Sequence, residues 1–138
     1  MMSGMLHVRH LADDRFAIDV RGHTVLVDQP SDAGGTDAAP TPTELFAASL
    51  ASCVAFYARR YLVRHQIESA GLAVSASYEI GGRPVRVREF KILITPPLAL
   101  PPQRRDAFLA VASHCTVHNT LTAPADVDVA LAPAHARV

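Results

Sequence analysis

The first part of the chain alternates apolar and polar residues in three short runs. These runs are residues 6–11 (LHVRHL), 15–20 (RFAIDV) and 24–29 (TVLVDQ), and the segments ADD and RGH separate them. Alternation with a period of two is typical of strands with one buried face, and Asp or Gly at the breaks is typical of tight turns. We therefore predict three consecutive strands, followed by a loop over residues 30–40 that is rich in Pro, Gly, Ser and Asp.

The longest weakly charged segment predicts an α-helix from about Pro42 to about His65. Thr41 precedes this segment, Pro42 suits its first turn, and Glu44 stands three residues after Thr41. Together these residues form a capping box with proline at the first helical position. The first half of the helix is apolar or small on every side, which is typical of a helix that is buried all round. We therefore expect this helix to lie at the centre of the fold.

The rest of the chain predicts a hairpin, two helical segments and a last strand. Residues 71–96 alternate on both sides of GGRP at 81–84, which is typical of a long β-hairpin. Residues 103–114 are amphipathic and predict a helix, residues 115–121 predict a further short helix, and residues 125–131 (ADVDVAL) alternate as a strand. This order predicts an α+β fold in which antiparallel sheets pack around one long buried helix.

Length and composition narrow the class of protein. With 138 residues the chain is predicted to be one domain over 1–138. About half of the residues are hydrophobic and 19% are charged, as in globular proteins, and 13 basic residues balance 13 acidic ones, so neither nucleic acid nor a membrane surface is expected as a partner. The N-terminus has no apolar signal region, and no apolar run approaches the roughly 20 residues of a membrane span. We expect a cytoplasmic protein, whose thiols are kept reduced.

Two cysteines and two neighbouring histidines are the candidate chemistry. Cys53 lies on the predicted central helix, where a lone cysteine is more often a small buried hydrophobe than a reactive group. Cys115 lies at the predicted start of a short helix, between His114 and His118. Unpaired backbone N–H groups and the helix dipole favour a thiolate at such a position, so local sequence marks Cys115 as the more activated thiol.

A metal site is the main alternative at this segment. His114 and His118 are four residues apart, a spacing that puts two ligands on one helical face beside Cys115. A structural zinc needs four ligands and a catalytic zinc needs three, and only Cys53 or a distant histidine could complete the set. The spacing is common by chance, so we expect no metal.

Two segments resemble the motifs of a known family. The segment PTPTELFAASLASC at 40–53 resembles the first cysteine motif of the OsmC/Ohr family (osmotically inducible protein C and organic hydroperoxide resistance proteins), and HCTVHNTL at 114–121 resembles its second motif. The order of strands and helices agrees with that family over nearly the whole chain. The resemblance implies an intertwined homodimer, with the cysteine helices at its centre and a peroxidase site at the dimer interface.

The resemblance also implies roles for the two thiols. Cys53 attacks an organic hydroperoxide or hydrogen peroxide, and Cys115 closes a disulfide that a dithiol later reduces. This agrees with the general chemistry of sulfenic acids and requires no metal or organic cofactor. It predicts that the two residues lie close together, since a disulfide needs Cα atoms roughly 4.4–6.8 Å apart. A non-enzymatic redox sensor or small-ligand binder on the same scaffold would need the same two cysteines and stays open as the alternative.

The residues that would activate the thiol depart from the family pattern. The peroxidases of the family carry a glutamate ten residues before the first cysteine, paired with an arginine from the N-terminal hairpins. Thr43 stands at that position and Glu44 stands nine before Cys53, an offset that turns a helical side chain by ~100°. Glu44 is therefore similar to the glutamate of more divergent OsmC-like branches, and the capping box explains it without any chemistry. For the arginine, Arg15 is the first candidate and Arg21 the second. The candidate catalytic residues are Cys53, Cys115, Glu44 and Arg15.

Overall fold

The computed structural model describes residues 2–135; residue 1 and residues 136–138, the two ends of the predicted domain, lie outside the described residues. The described part of the chain forms two antiparallel sheets and three α-helices, which confirms the predicted α+β class. The strands are β1 (His7–Ala12), β2 (Arg15–Val20), β3 (His23–Val27), β4 (Ala73–Gly81) and β5 (Arg86–Thr95). The helices are α1 (Pro42–Arg64), α2 (Arg105–Ser113) and α3 (Thr116–Thr122).

The first three strands form a meander in which β2 lies between β1 and β3. Arg21 and Gly22 make the turn between β2 and β3 with φ angles of 48° and 80°. Of the residues in these strands, only Ala17 and Val27 are buried, and β1 is exposed along almost its whole length. The N-terminal sheet therefore has little core of its own within one chain.

A buried carboxylate organises the loop that joins β3 to α1. One oxygen of Asp28 accepts a hydrogen bond from the backbone N–H of Gln29 at 2.7 Å. The other oxygen accepts from the Thr36 hydroxyl at 2.7 Å and from the Ala38 N–H at 2.9 Å. These bonds, that from Thr36 first, lower the pKa of Asp28 to about 2. A Cβ at Gly35 would collide with the Gln29 carbonyl and approach the Asp28 carboxylate, so the loop closes tightly only with glycine there.

Helix α1 begins with the predicted capping box. The Glu44 N–H donates to the Thr41 hydroxyl at 3.0 Å, and the Thr41 N–H donates to the Glu44 carboxylate at 2.8 Å. Within one chain the helix buries one stripe rather than every side, and Phe46 and Phe56 are exposed on the other sides. The buried stripe consists of Ala47, Leu50, Val54, Ala58, Tyr61 and Leu62. No described helix is long and apolar enough to cross a lipid bilayer.

The second sheet and α2 cover this stripe. The hairpin of β4 and β5 carries apolar residues on the face that packs against α1, as its alternation predicts, and Phe90, Ile92 and Ile94 are the contributions of β5. Helix α2 adds Phe108 and Ala112, both buried. The main core of the chain therefore lies between α1, α2 and the second sheet.

The last predicted strand does not form in the described chain. Residues 124–135 belong to no helix or sheet, and the side chains of Val127 and Leu131 are 84% and 99% exposed. The prediction of a strand over 125–131 is therefore wrong for the single chain. A strand needs a neighbour for its backbone hydrogen bonds, and sequence alternation does not say where that neighbour is.

Candidate thiol site

The fold brings the two cysteines together. Cys53 lies near the middle of α1, beside Leu50 and Val54 of the buried stripe, and Cys115 is the N-cap residue of α3. Both residues belong to the same cluster of packed side chains, and the two thiols are near enough for Cys53 to affect the pKa of Cys115. Both are free thiols. Two neighbouring thiols can form a disulfide after a movement that brings their sulfurs within bonding distance.

The two thiols differ in their access to solvent. Cys115 is 0% exposed, whereas Cys53 is only partly buried. Burial raises the pKa of the Cys115 thiol, and the neighbouring Cys53 thiol raises it further. The N–H of His118, 3.3 Å from the Cys115 sulfur, acts in the opposite direction but is outweighed. The expectation that the helix start makes Cys115 the more activated thiol is therefore wrong, because loss of solvation dominates.

Local sequence explains how Cys115 becomes buried. Phe108 and Ala112 anchor α2 in the core, and α2 ends at Ser113, directly before the chain turns into α3. At that turn the Cys115 sulfur accepts the bond from the His118 N–H, the role that a Ser or Thr oxygen usually takes at a helix start. The Cys115 thiol is therefore buried where the start of α3 packs against α1.

The two histidines near Cys115 have separate environments. The His114 ring is exposed and its Nδ1 lies 2.6 Å from the Ala110 carbonyl oxygen of α2. His118 is partly buried and lines a cavity together with residues of α1 and β5. Among residues 2–135, no three His, Cys, Asp or Glu side chains are grouped so that they could hold a metal ion.

Tyr57 joins the surroundings of the two thiols and was not found from the sequence. Its hydroxyl lies 3.1 Å from the Thr116 hydroxyl, within hydrogen-bond distance. Tyr57 follows Cys53 by one turn of α1, and Thr116 directly follows Cys115. The spacing of four from Cys53 was the available signal, but it gains meaning only once α3 is known to lie there.

The other candidate residues are not joined to this pair. Glu44 is exposed, and its carboxylate completes the capping box. Arg15 begins β2 in the N-terminal sheet, and its Nε is buried with no hydrogen-bond partner among the described residues. Arg21 is exposed in its turn. None of the ion pairs in residues 2–135 connects Arg15 or Arg21 with Glu44.

An apolar cavity lies beside the thiol pair. Its volume is about 320 Å³. Leu50 and Val54, which flank Cys53 along α1, form part of its wall together with Phe90 and Ile92 of β5 and His118 of α3. Neither sulfur lines the cavity. The site therefore consists of two neighbouring thiols next to a space that suits apolar groups.

Comparison with known proteins finds OsmC-like proteins by sequence and proteins of the same fold by structure. A family model described as OsmC-like protein matches residues 34–130, more than half of the chain. No functionally curated protein matches in sequence. A crystal structure of a candidate osmotic stress induced and detoxification response protein from Psychrobacter arcticus is 28% identical, with a TM-score of 0.79 over 86% of this chain and 90% of that chain.

Two less similar structures share the fold. An organic hydroperoxide resistance protein OsmC from Legionella pneumophila is 18% identical, with a TM-score of 0.62 over 88% of this chain and 90% of that one. An organic hydroperoxide resistance protein from Elizabethkingia anophelis is 16% identical, with a TM-score of 0.68 over 89% of this chain and 91% of that one.

Proposed function

Since this chain belongs to the family of OsmC-like proteins, we propose that it is a thiol-dependent peroxidase that reduces organic hydroperoxides, or hydrogen peroxide. The observation that carries the proposal is the proximity of two thiols of unequal access, one partly exposed and one fully buried. An attacking thiol must meet its substrate, whereas a resolving thiol needs only to reach the oxidised partner. Cys53 therefore attacks and Cys115 resolves.

The first step transfers one oxygen atom to Cys53. The Cys53 thiolate attacks the terminal oxygen of the hydroperoxide, an S–O bond forms and the O–O bond breaks. The sulfur is oxidised to a sulfenic acid, and the peroxide is reduced to an alcohol, whose oxygen takes up the proton that the thiol has lost. The products are one sulfenic acid and one alcohol, or water when the substrate is hydrogen peroxide.

The second step closes the disulfide. The Cys115 sulfur attacks the sulfenic sulfur of Cys53, an S–S bond forms, the S–O bond breaks, and water leaves with the proton from Cys115. Burial keeps peroxide away from Cys115 and keeps it protonated until this step, because its pKa is raised. An external dithiol then reduces the disulfide by exchange and becomes oxidised. This need for a dithiol fits the cytoplasm as the site of action.

The apolar surroundings support organic hydroperoxides as the preferred substrates. The 320 Å³ cavity beside the thiols is lined mainly by side chains of α1, α2, α3 and β5 that lack charge. Such a cavity stabilises a hydrocarbon group by removing it from water and offers nothing comparable to hydrogen peroxide. The names of the Legionella and Elizabethkingia proteins point to the same class of substrate.

Arg15 is our candidate for the cation that favours the Cys53 thiolate. A guanidinium is always charged, and a nearby cation lowers the pKa of a thiol. The buried Arg15 Nε without a partner among the described residues supports a role beyond ordinary surface solvation. For Glu44 we propose a structural role as part of the helix cap, since both halves of the capping box are formed.

We also propose that the protein acts as a homodimer, in which a second copy covers the exposed apolar surfaces. Phe56 on α1 and Val127, Val129 and Leu131 in the C-terminal segment are all largely exposed within one chain. A further apolar recess of about 390 Å³ lies between the N-terminal sheet and the start of α1. Surfaces of this kind are typical of permanent interfaces. Light scattering at micromolar concentration should give twice the chain mass of 14.8 kDa, and a monomer would contradict this part of the proposal.

Peroxide consumption in the presence of a dithiol tests the proposed activity. Wild type, Cys53→Ser, Cys115→Ser and the control Ala51→Ser, which adds a hydroxyl on the same helix, are compared with an organic hydroperoxide. We expect Cys53→Ser to abolish turnover, Cys115→Ser to lose it progressively through over-oxidation, and Ala51→Ser to remain near wild type. Undiminished consumption by Cys53→Ser would refute the proposed function.

A further inference from the structure

We propose that the Tyr57 hydroxyl is a positioning group that holds Cys115 against Cys53 for closure of the disulfide. The inference rests on the proposed function, because it concerns the resolving step of that reaction. Tyr57 and Thr116 each lie close in sequence to one of the two cysteines, and their hydroxyl oxygens are 3.1 Å apart. This contact joins the middle of α1 to the first residue of α3.

The geometry of the two helices makes this hydroxyl contact and the approach of the two sulfurs depend on the same position of α3 against α1. On α1, residues four apart lie on the same face, so the Tyr57 side chain stands beside that of Cys53. On α3, Thr116 is the first helical residue, and Cys115 is its N-cap. A shift of the α3 start away from α1 would therefore break the hydroxyl contact and separate the two sulfurs in the same movement.

Apart from the apolar packing of Cys115 and Val117 against the core, the start of α3 makes few side-chain contacts with other elements. The described side-chain hydrogen bonds at Cys115 and Thr116 run to groups of α3 itself, apart from the one to Tyr57. α3 is a helix of only seven residues and buries none of its side chains fully. A short helix of this kind is stabilised mainly by packing against its neighbours. Packing alone has no preferred direction, so the hydrogen bond of the Tyr57 hydroxyl is the interaction that fixes the position of Cys115 along the axis of α1.

The Tyr57 ring is itself held in place. The guanidinium of Arg60 lies 5.7 Å from the centre of the Tyr57 ring, and the Phe56 ring meets it edge-on at 5.4 Å. The ring also packs against the core cluster that contains Cys115. A hydroxyl on a fixed ring loses little freedom when it bonds, so the contact is well suited to positioning.

Removal of the Tyr57 hydroxyl is expected to slow closure of the disulfide and to leave the oxidation of Cys53 unchanged. Removal of the hydroxyl leaves Cys53 on its helix, so its reaction with peroxide keeps its rate. The start of α3 becomes free to move, so Cys115 spends less time within reach of the sulfenic acid. One neutral hydrogen bond shifts such a positional equilibrium by about fivefold. The sulfenic acid then persists longer, and more of it is over-oxidised to sulfinic acid.

The test compares Tyr57→Phe with Tyr78→Phe, a tyrosine on β4, in stopped-flow oxidation by an organic hydroperoxide followed by mass spectrometry. We expect Tyr57→Phe to keep the rate of Cys53 oxidation, to slow disulfide closure about fivefold and to raise the sulfinic fraction, and Tyr78→Phe to match wild type. Equal closure rates in Tyr57→Phe and wild type would overturn the inference. Equal slowing of both steps would also overturn it, since that indicates general damage to the site.

Variants of Thr116 test the same contact independently if Tyr57→Phe folds poorly. Thr116→Val should reproduce the slow closure, and Thr116→Ser, which keeps the hydroxyl, should restore it; identical behaviour of the two would overturn the inference. Titration of the disulfide against a dithiol redox buffer needs no peroxide and should show the exchange equilibrium moved about fivefold towards the reduced thiols in Tyr57→Phe. Wild type that fails to react with peroxide would refute the proposed function, while this equilibrium would still decide the role of Tyr57.

Discussion

The N-terminal sheet and the thiol-bearing half of the molecule are stabilised in different ways. The thiol-bearing half, made of α1, β4, β5, α2 and α3, surrounds a continuous apolar core in which Ala58, Leu62, Ala112 and Cys115 are completely shielded from solvent. The N-terminal sheet, made of β1 to β3, contributes few buried apolar residues, and the loop that follows it folds around a buried carboxylate. One half thus depends on apolar burial and the other on polar contacts.

This difference explains where a reactive centre can be held. A core that packs closely keeps side chains in fixed rotamers, so two thiols on different helices of that core stay near each other without a covalent link. The N-terminal sheet lacks such a core within one chain. Arg15, which lies on that sheet, therefore depends on additional packing for its position, and a second copy of the chain is our proposed source of it.

The largest effect on stability is expected in the apolar core. Leu62 is 0% exposed and packs in the cluster that contains Cys115. Leu62→Ala should lower the free energy of unfolding by about 2–5 kcal/mol, because it removes buried apolar contacts and leaves a cavity. Leu98→Ala, at a side chain that is 60% exposed, is the control and should change it little. Denaturant unfolding of both variants measures the difference, and a similar small loss in both would contradict the account of the core.

A smaller and more local effect is expected for Asp28→Asn. An asparagine amide presents N–H groups to donors that now meet a carboxylate oxygen, so the loop before α1 should open. Hydrogen exchange at the Ala38 amide, which donates to Asp28, should become faster, while amides of α1 near Leu62 stay protected. Asp32→Asn in the same loop is the control. Equal protection of Ala38 in Asp28→Asn and wild type would refute the role of the carboxylate.

The same carboxylate predicts a pH dependence. The pKa of Asp28 is lowered to about 2 in the folded protein, below its ordinary value of about 4. On acidification, Asp28 therefore becomes protonated at a lower pH in the folded protein than in the unfolded chain. The carboxylate thus stabilises the fold above about pH 4, and this contribution to the free energy of unfolding disappears between about pH 4 and pH 2. Unfolding measured over this range should depend less on pH in Asp28→Asn than in wild type, and identical slopes would contradict the assignment.

The smallest effect is expected for Glu44→Gln. A glutamine can still accept the hydrogen bond from the Thr41 N–H, so the capping box survives. Both the free energy of unfolding and peroxide turnover should stay close to wild type, whereas Thr41→Ala should cost about 1 kcal/mol of stability. If Glu44→Gln removes turnover and leaves the thermal unfolding curve unchanged, Glu44 is catalytic and the structural role is refuted.

Much of the fold could be predicted from the sequence, because its local signals agree with its tertiary packing. The capping box at Thr41 marks the start of α1 at Pro42, and the alternation in β2 predicts Arg15–Val20 with both ends correct. The long hairpin and α2 follow from their apolar periods within a few residues of the observed bounds. Periodicity succeeds in the hairpin and in α2 because the face that it marks packs against the core within one chain. In β2 the strand forms although Phe16, on its apolar face, stays exposed.

The site could be predicted less completely, because its properties depend on distant parts of the chain. Only the resemblance to the family motifs predicts the pairing of Cys53 with Cys115, since no local pattern joins residues so far apart. Burial of Cys115, which reverses its expected activation, follows from contacts of α2 and α3 with α1. Similarly, the alternation of residues 125–131 marks an apolar face, but the sequence does not tell whether a neighbour exists in the same chain.

The mechanism depends on the order in which the two thiols react, and trapping of sulfenic acid measures that order. Cys115→Ser and Cys53→Ser, each with one remaining thiol, are treated with an organic hydroperoxide and a sulfenic acid probe, and the adducts are quantified by mass spectrometry. We expect rapid oxidation of Cys53, with over-oxidation at excess peroxide, and slow oxidation of Cys115, because Cys115 is buried and its pKa is raised. Faster reaction at Cys115 would exchange the two roles, and slow reaction at both thiols would contradict the peroxidase.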